Sequence, residues 1–248
     1  MSSFSGYDEA GEGVAFLAFP GLGCDWRMWS PLMDALEGEY KLVVPHLWKC
    51  SSLVEGAGAA HEALDELGID KVILAGLSMG GYAALEFIRL FPDRVRGAVL
   101  LNTTAYPDSS ERTRHREDTL AVIEGGGYDR VLALFLESVV WSGGARAAWV
   151  RGLIAKMAAD IGEAGYIRSL RAIKDRGDQS KILSSLKLPT LFIAAEQDAF
   201  TPPHIAEEMA ATVAGSKLAV IPNAGHMSVL ENTGAAAQAV DAFLAGIG

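Results

Sequence analysis

Six short apolar runs, at 14–19, 41–44, 71–75, 97–101, 190–195 and 217–221, recur along the chain between glycine, proline or polar residues. Most are apolar throughout rather than alternating, the pattern of strands covered on both faces. Between them apolar positions return at helical spacing, at 29–36, 52–67, 79–91, 203–213 and 235–245. Phe91-Pro92 closes the third of these, because proline disfavours the helical conformation in the residue before it. Strand–helix alternation of this kind predicts right-handed crossovers and a mostly parallel sheet flanked by helices, an α/β fold.

The alternation stops at 105–187. That stretch offers no strand and instead has helical patterns near 111–123, 129–140, 145–159 and 163–174. Gly125-Gly126-Gly127 and Ser142-Gly143-Gly144 separate the first three. The chain therefore reads as a sheet core at 1–104 and 188–248, with a helical insertion, 105–187, after the fourth recognisable strand. A length of 248 residues suits one α/β domain carrying such an insertion.

Charge and cysteine usage narrow the function. The net charge is −10, and Lys and Arg are not clustered, which excludes a nucleic-acid surface. Cys24 and Cys50 lie in no CxxC or His/Cys ligand spacing, so two free thiols are expected rather than a disulfide or a metal site. The first residues lack a basic stretch followed by an apolar one, and no run reaches the ~18 apolar residues of a membrane span. A soluble, cytoplasmic protein is expected; its oligomeric state is left open.

Candidate chemistry concentrates in Gly76-Leu77-Ser78-Met79-Gly80. A strand is predicted before this run and an amphipathic helix after it. Ser78 is therefore expected on a sharp strand-to-helix turn, the setting a G-x-S-x-G nucleophile needs. Gly76 and Gly80 carry no Cβ and let strand and helix approach. Without those flanks the pentapeptide would suit a turn chosen for packing alone.

A serine hydroxyl needs a base to take its proton. Among the five histidines, His226 follows the last strand, in a loop on the same carboxyl edge as Ser78. His46, after the second strand, is the second choice. His61 and His115 read as solvated, and His204, at a helix start, as surface or capping. The imidazole also needs an orienting anion, and Asp198 lies in the loop after the 190–195 strand. Glu196 is its rival, nearer the strand end. Asn102 occupies the alternative position after the fourth strand and cannot carry the charge. The order Ser78, Asp198, His226 accompanies this turn geometry. Each residue follows a different strand, at the edge where parallel sheets bind ligands.

On these residues the chain resembles the α/β-hydrolase superfamily over nearly its whole length, and within it small esterases, enol-lactone hydrolases and carrier-protein methyl-ester esterases with a helical cap. The resemblance implies an oxyanion hole built from the backbone N–H groups of Met79 and of Leu22 in Pro20-Gly21-Leu22-Gly23. Pro20 stands where the family usually has histidine, a change that leaves a backbone donor in place. The family often opens with an antiparallel strand pair, yet only thirteen residues precede Val14. Its Asp-x-Arg-Gly-x-Gly loop is replaced by Pro45-His46-Leu47-Trp48-Lys49-Cys50.

The resemblance further implies a serine hydrolase that cleaves a small, largely apolar carboxylic ester, thioester or lactone through an acyl-enzyme, with no metal or organic cofactor. Relatives that use an aspartate nucleophile, the haloalkane dehalogenases and epoxide hydrolases, are excluded by Ser78. Trp26, Trp29, Trp141, Phe200 and Met227 are the candidates for an apolar substrate pocket. Arg112, Arg114, Arg116, Arg168 and Arg171 read as surface charge, with pairing to a substrate carboxylate as the alternative. Two other functions use the same residues: a carbon–carbon bond hydrolase or lyase, and a ligand-binding protein that has kept the fold without turnover. Presence of all three of Ser78, Asp198 and His226 argues against the latter.

Overall fold

The computed structural model describes residues 6–247. Among these residues seven strands form one sheet: β1 (Tyr7–Ala10), β2 (Val14–Phe19), β3 (Tyr40–Pro45), β4 (Val72–Leu77), β5 (Val95–Leu101), β6 (Thr190–Ala195) and β7 (Lys217–Ile221). Their order is β1-β3-β2-β4-β5-β6-β7; β1 runs antiparallel to β3 and every other pair is parallel. The six expected strands are present, with small shifts at their ends. β1 is the addition. It pairs Tyr7 with Pro45 and Ala10 with Leu42, and it supplies the antiparallel edge for which the sequence left few residues. Its sequence, Tyr-Asp-Glu-Ala, is short and half exposed, so no apolar period announces it.

Among the described residues ten α-helices connect and cover the sheet: α1 (Ser30–Ala35), α2 (Leu53–Glu66), α3 (Met79–Leu90), α4 (Ser110–Val122), α5 (Tyr128–Val139), α6 (Ala147–Lys174), α7 (Ser180–Ser185), α8 (Pro203–Thr212), α9 (Ser228–Glu231) and α10 (Thr233–Leu244). Successive strand residues point to opposite faces, and both faces are dry. On β2, Phe16 and Ala18 join one core with Leu32 of α1 and Val240 and Phe243 of α10. Leu17 and Phe19 join the other, with Ala60 and Leu64 of α2 and Ala84 and Phe87 of α3. Burial on both faces is why β4 and β6 read as unbroken apolar runs.

Helices α4 to α7 fill the interval between β5 and β6, as the loss of strand–helix alternation predicts. The two helical segments expected around Gly162 form one long element, interrupted where Gly162 takes φ 75° and ψ 166°. The short helices α7 and α9 were not anticipated, being too brief to show a period. Leu120, Ile123, Tyr166 and Leu170 form a third, small apolar cluster among α4, its C-terminal turn and α6.

The turn from β4 into α3 is closely packed at the sheet's carboxyl edge. A Cβ at Gly80 would lie 1.9 Å from the Phe19 carbonyl oxygen, and one at Gly76 would lie 2.4 Å from that of Gly80. These neighbours are backbone and cannot give way. Gly80→Ala is therefore expected to destabilise by more than the ~1–3 kcal/mol typical of overpacking in urea unfolding. Gly152→Ala in α6, where a Cβ meets nothing within 4 Å, serves as the control. It is expected to be neutral or stabilising by up to about 1 kcal/mol. Equal effects at the two positions would contradict the assigned packing.

Candidate active site

Ser78 sits between β4 and α3 with φ 56° and ψ −115°, a left-side conformation that a non-glycine residue rarely adopts. The surrounding backbone holds it there. Its N–H donates to the Leu101 carbonyl at 3.0 Å, and its own carbonyl accepts from Gly81 N–H at 2.9 Å and from Thr103 Oγ1 at 2.8 Å. Strain maintained in this way is characteristic of residues under functional constraint.

His226 and Asp198 meet across the loops that follow β7 and β6. His226 Nδ1 lies 2.8 Å from Asp198 Oδ2, and both residues are buried. The carboxylate partner makes Nδ1 the protonated nitrogen and leaves Nε2 as an acceptor. Asp198 Oδ1 accepts from the N–H groups of Phe200 (2.8 Å) and Thr201 (3.0 Å). Its Oδ2 also accepts from Thr201 Oγ1 at 2.7 Å and from Asn102 Nδ2 at 2.9 Å. Burial pushes the Asp198 carboxyl up, but the charge and hydrogen bond of His226, together with the bonds from Asn102 and Thr201, outweigh it and hold the group down at about 2. Asn102, at φ 45°, is itself fixed by the Ser228 hydroxyl, which donates to its Oδ1 at 2.5 Å. The residue set aside as unable to carry charge thus supports the acid instead.

The rivals are engaged elsewhere. Glu196 is exposed and accepts from the Asn223 N–H at 3.3 Å. His46 bonds Asp8 at 2.8 Å and stacks on Trp48, with ring centroids 4.4 Å apart. His61, expected to be solvated, stacks on Phe91 and lies 2.8 Å from Arg94 Nη1. His115 and His204 are exposed.

The loop carrying His226 has a clasp that sequence reasoning did not find. Glu231 on α9 accepts from the N–H groups of Gly225 (3.0 Å) and Met227 (3.0 Å), on either side of the histidine, and from that of Trp141 (2.9 Å). One buried carboxylate thereby ties the loop after β7 to the segment after α5. Its only sequence signal is an acid five residues beyond the histidine.

Ser78 and His226 line one small cavity, with Leu22 and Thr201 beside them. Phe135, Val139, Ile173 and Phe200 make its apolar wall; Tyr82, Arg112 and Arg116 make the polar one. No side-chain hydrogen bond joins Ser78 to another described residue, and such contacts commonly tighten only with substrate bound. Of the five expected pocket residues, Phe200 lines this cavity, with its ring centroid 5.2 Å from that of His226. Trp26, Trp29, Trp141 and Met227 are not among its lining. Trp29 and Met227 are buried in the core that includes α1 and α10, and Trp26 packs against it. Trp141 covers Gly143 and Gly225, where a Cβ would come within 3.0 Å of it. Met79 is buried as the first residue of α3. Two of the five arginines read as surface charge, Arg112 and Arg116, face the cavity instead, a placement decided by how α4 docks. Arg168 donates to the Trp48 carbonyl and Arg171 to Glu124.

Among the described residues no group of three His, Cys, Asp or Glu could hold a metal ion, and both cysteines are buried and free. No helix among them is long and apolar enough to cross a membrane.

Two outcomes follow from these contacts. Asp198 has a folded pKa below its unfolded value of ~3.9, so its stabilisation is present above that value and fades as pH falls towards 2. Urea unfolding at pH 6 and pH 3 is expected to show an acid-induced loss smaller by about 1 kcal/mol in Asp198→Asn than in the parent. An equal loss in both proteins would contradict the pairing. Glu231→Gln presents an amide N–H2 to backbone donors and is expected to cost about 1–3 kcal/mol in the same assay at pH 7. A cost below ~0.5 kcal/mol would mean that the clasp carries no load.

Similarity to known proteins agrees with this architecture. A family model described as the alpha/beta hydrolase family matches residues 16–240. A putative carbamate hydrolase, RutD, of Serratia proteamaculans (strain 568) is 26% identical over 226 residues, 85% of this chain and 84% of its own length. Among solved structures, a thermophilic esterase from Thermogutta terrifontis, with malate bound, superposes with a TM-score of 0.90 at 28% identity, covering 97% of this chain and 93% of that one. The enol-lactonase from Burkholderia xenovorans LB400 superposes with a TM-score of 0.84 at 23% identity, covering 96% and 95%. The last likeness is one of fold alone. With the family model covering most of the chain, including β3 to β7 and the turns and loops that carry Ser78, Asp198 and His226, the chain belongs to the alpha/beta hydrolase family.

Proposed function

We propose that the protein is a serine hydrolase in which Ser78 attacks the carbonyl carbon of a small carboxylic ester, thioester or lactone. The observation that carries this reading is the oriented His226–Asp198 pair on the same cavity as a serine held at positive φ. In the first step His226 Nε2 takes the Ser78 proton as Oγ bonds to the carbonyl carbon. The backbone N–H groups of Met79 and Leu22 stabilise the oxyanion. His226 then protonates the leaving alcohol or thiol as its bond to carbon breaks, giving an acyl-enzyme. Water, deprotonated by His226, attacks that acyl group; the acid leaves and Ser78 regains its proton. Asp198 keeps the imidazole in the correct tautomer and stabilises its charged form. Residues 105–187 act as a cap over the core at 1–104 and 188–248, and Phe135, Val139 and Ile173 from that segment close the acyl side. No metal or organic cofactor takes part in these steps.

The thermophilic esterase, at 28% identity over nearly the whole chain, supports the choice of an ester. The putative carbamate hydrolases, at 26% identity, favour a second reading in which the carbonyl belongs to a carbamate. The attack by Ser78 is the same, and the leaving group is what differs. A panel of p-nitrophenyl esters from acetate to octanoate tests the first reading. Activity is expected to peak at short acyl chains, because the cavity is small. Ser78→Ala is expected to lose on the order of 10⁴-fold or more in kcat. Retention of activity within tenfold in that variant would overturn the role of Ser78.

A further inference from the structure

Arg112 and Arg116 lie one helical turn apart on α4, so both face the same side of it, and both line the cavity that holds Ser78 and His226. Their charge is not balanced within the protein. Arg116 donates through Nε and Nη2 to Asp108, at 2.5 and 3.4 Å. Arg176 donates through Nη2 to the same carboxylate at 2.8 Å, while its guanidinium lies 4.2 Å from the centre of the Tyr82 ring. Arg112 has no carboxylate partner among the described residues; its Nη2 donates to the Phe200 carbonyl at 2.7 Å. Two guanidinium groups, those of Arg116 and Arg176, thus share Asp108, and Arg112 adds a third positive charge, in a chain whose net charge is −10.

The unused donors matter as much as the charge. Nε and Nη1 of Arg112, and Nη1 of Arg116, have no protein acceptor among the described residues. Arg116 is four-fifths buried overall, and a donor without a protein acceptor on a partly buried guanidinium is open to an anion entering the cavity that the residue lines. Arg112 is also positioned with respect to the proposed chemistry. Its bond to the Phe200 carbonyl fixes it to the loop that carries Asp198, since the Phe200 N–H donates to that carboxylate. The planar fork of arginine matches a carboxylate in two-point contact.

We propose that the cavity takes a substrate bearing a carboxylate, a half-ester of a short dicarboxylic acid. Its ester carbonyl sits at Ser78 and its free carboxylate at Arg112 and Arg116. The assignment rests on the serine-hydrolase reading and adds the substrate class to it. The two guanidinium groups bind the anion before and after acylation alike, so their effect falls mainly on KM.

The test compares monoethyl succinate with ethyl butanoate, whose acyl chains are of equal length, by pH-stat titration. The parent enzyme is expected to favour the half-ester in kcat/KM by about tenfold or more, the worth of one charge-assisted bond. Arg112→Gln is expected to cut the ratio of the two kcat/KM values by about tenfold, chiefly through the KM of the half-ester. Arg112→Lys, which keeps the charge without the fork, should recover part of it. A ratio at or below one that Arg112→Gln leaves unmoved overturns the carboxylate subsite, while hydrolysis of ethyl butanoate leaves the esterase reading standing. If neither ester is cleaved, the esterase reading fails, and calorimetric titration with succinate decides the subsite. Binding weakened tenfold by Arg112→Gln upholds it; absence of binding to the parent overturns it.

Discussion

Asp198 buries a carboxylate just beyond β6 and fills its acceptors from three directions: Asn102 beyond β5, His226 beyond β7, and Thr201 with the Phe200 N–H in its own loop. A charge so placed is unfavourable unless nearly every lone pair is occupied, and here they are. The partners therefore have little freedom. Asn102 holds a positive φ, and the imidazole of His226 has one tautomer and one orientation. The carboxyl edge of three neighbouring strands is set by this one group, while the fourth element, the turn at Ser78, is set by backbone contacts of Gly76 and Gly80.

The sheet was legible because β2, β4 and β6 are buried on both faces and must be apolar throughout. The placing of Ser78, Asp198 and His226 on one edge was legible for a related reason, since each lies directly after a strand whose direction the crossover rule fixes. β1 was not legible, because an edge strand of four half-exposed residues buries too little to carry a pattern. The apolar candidates Trp26, Trp29, Trp141 and Met227, outside the cavity lining, illustrate the limit from the other side. Large apolar side chains follow the core, and only packing decides which of them reach a cavity.

The polar determinants were the hardest to read. Arg112 and Arg116 occupy a helix with a weak apolar stripe, and nothing local says which side of α4 faces inward. Glu231 bonds three backbone N–H groups, contacts that leave no trace in residue type. Both features join the segment between β5 and β6 to the loops of the sheet: Arg112 through the Phe200 carbonyl, Glu231 through the Trp141 N–H. The helical segment is thus tied to the acid loop and to the histidine loop at once. The wall it adds to the cavity brings positive charge into an otherwise acidic protein.

Covalent capture tests most directly whether this edge is a working nucleophile site. The folded protein would be incubated with an alkyl fluorophosphonate, and the adduct located by peptide mass mapping. A single adduct is expected on the peptide that contains Ser78, formed much more slowly in Asp198→Asn, where His226 loses its orienting charge. Folded protein that stays unlabelled, or label that settles on a different residue, would contradict it.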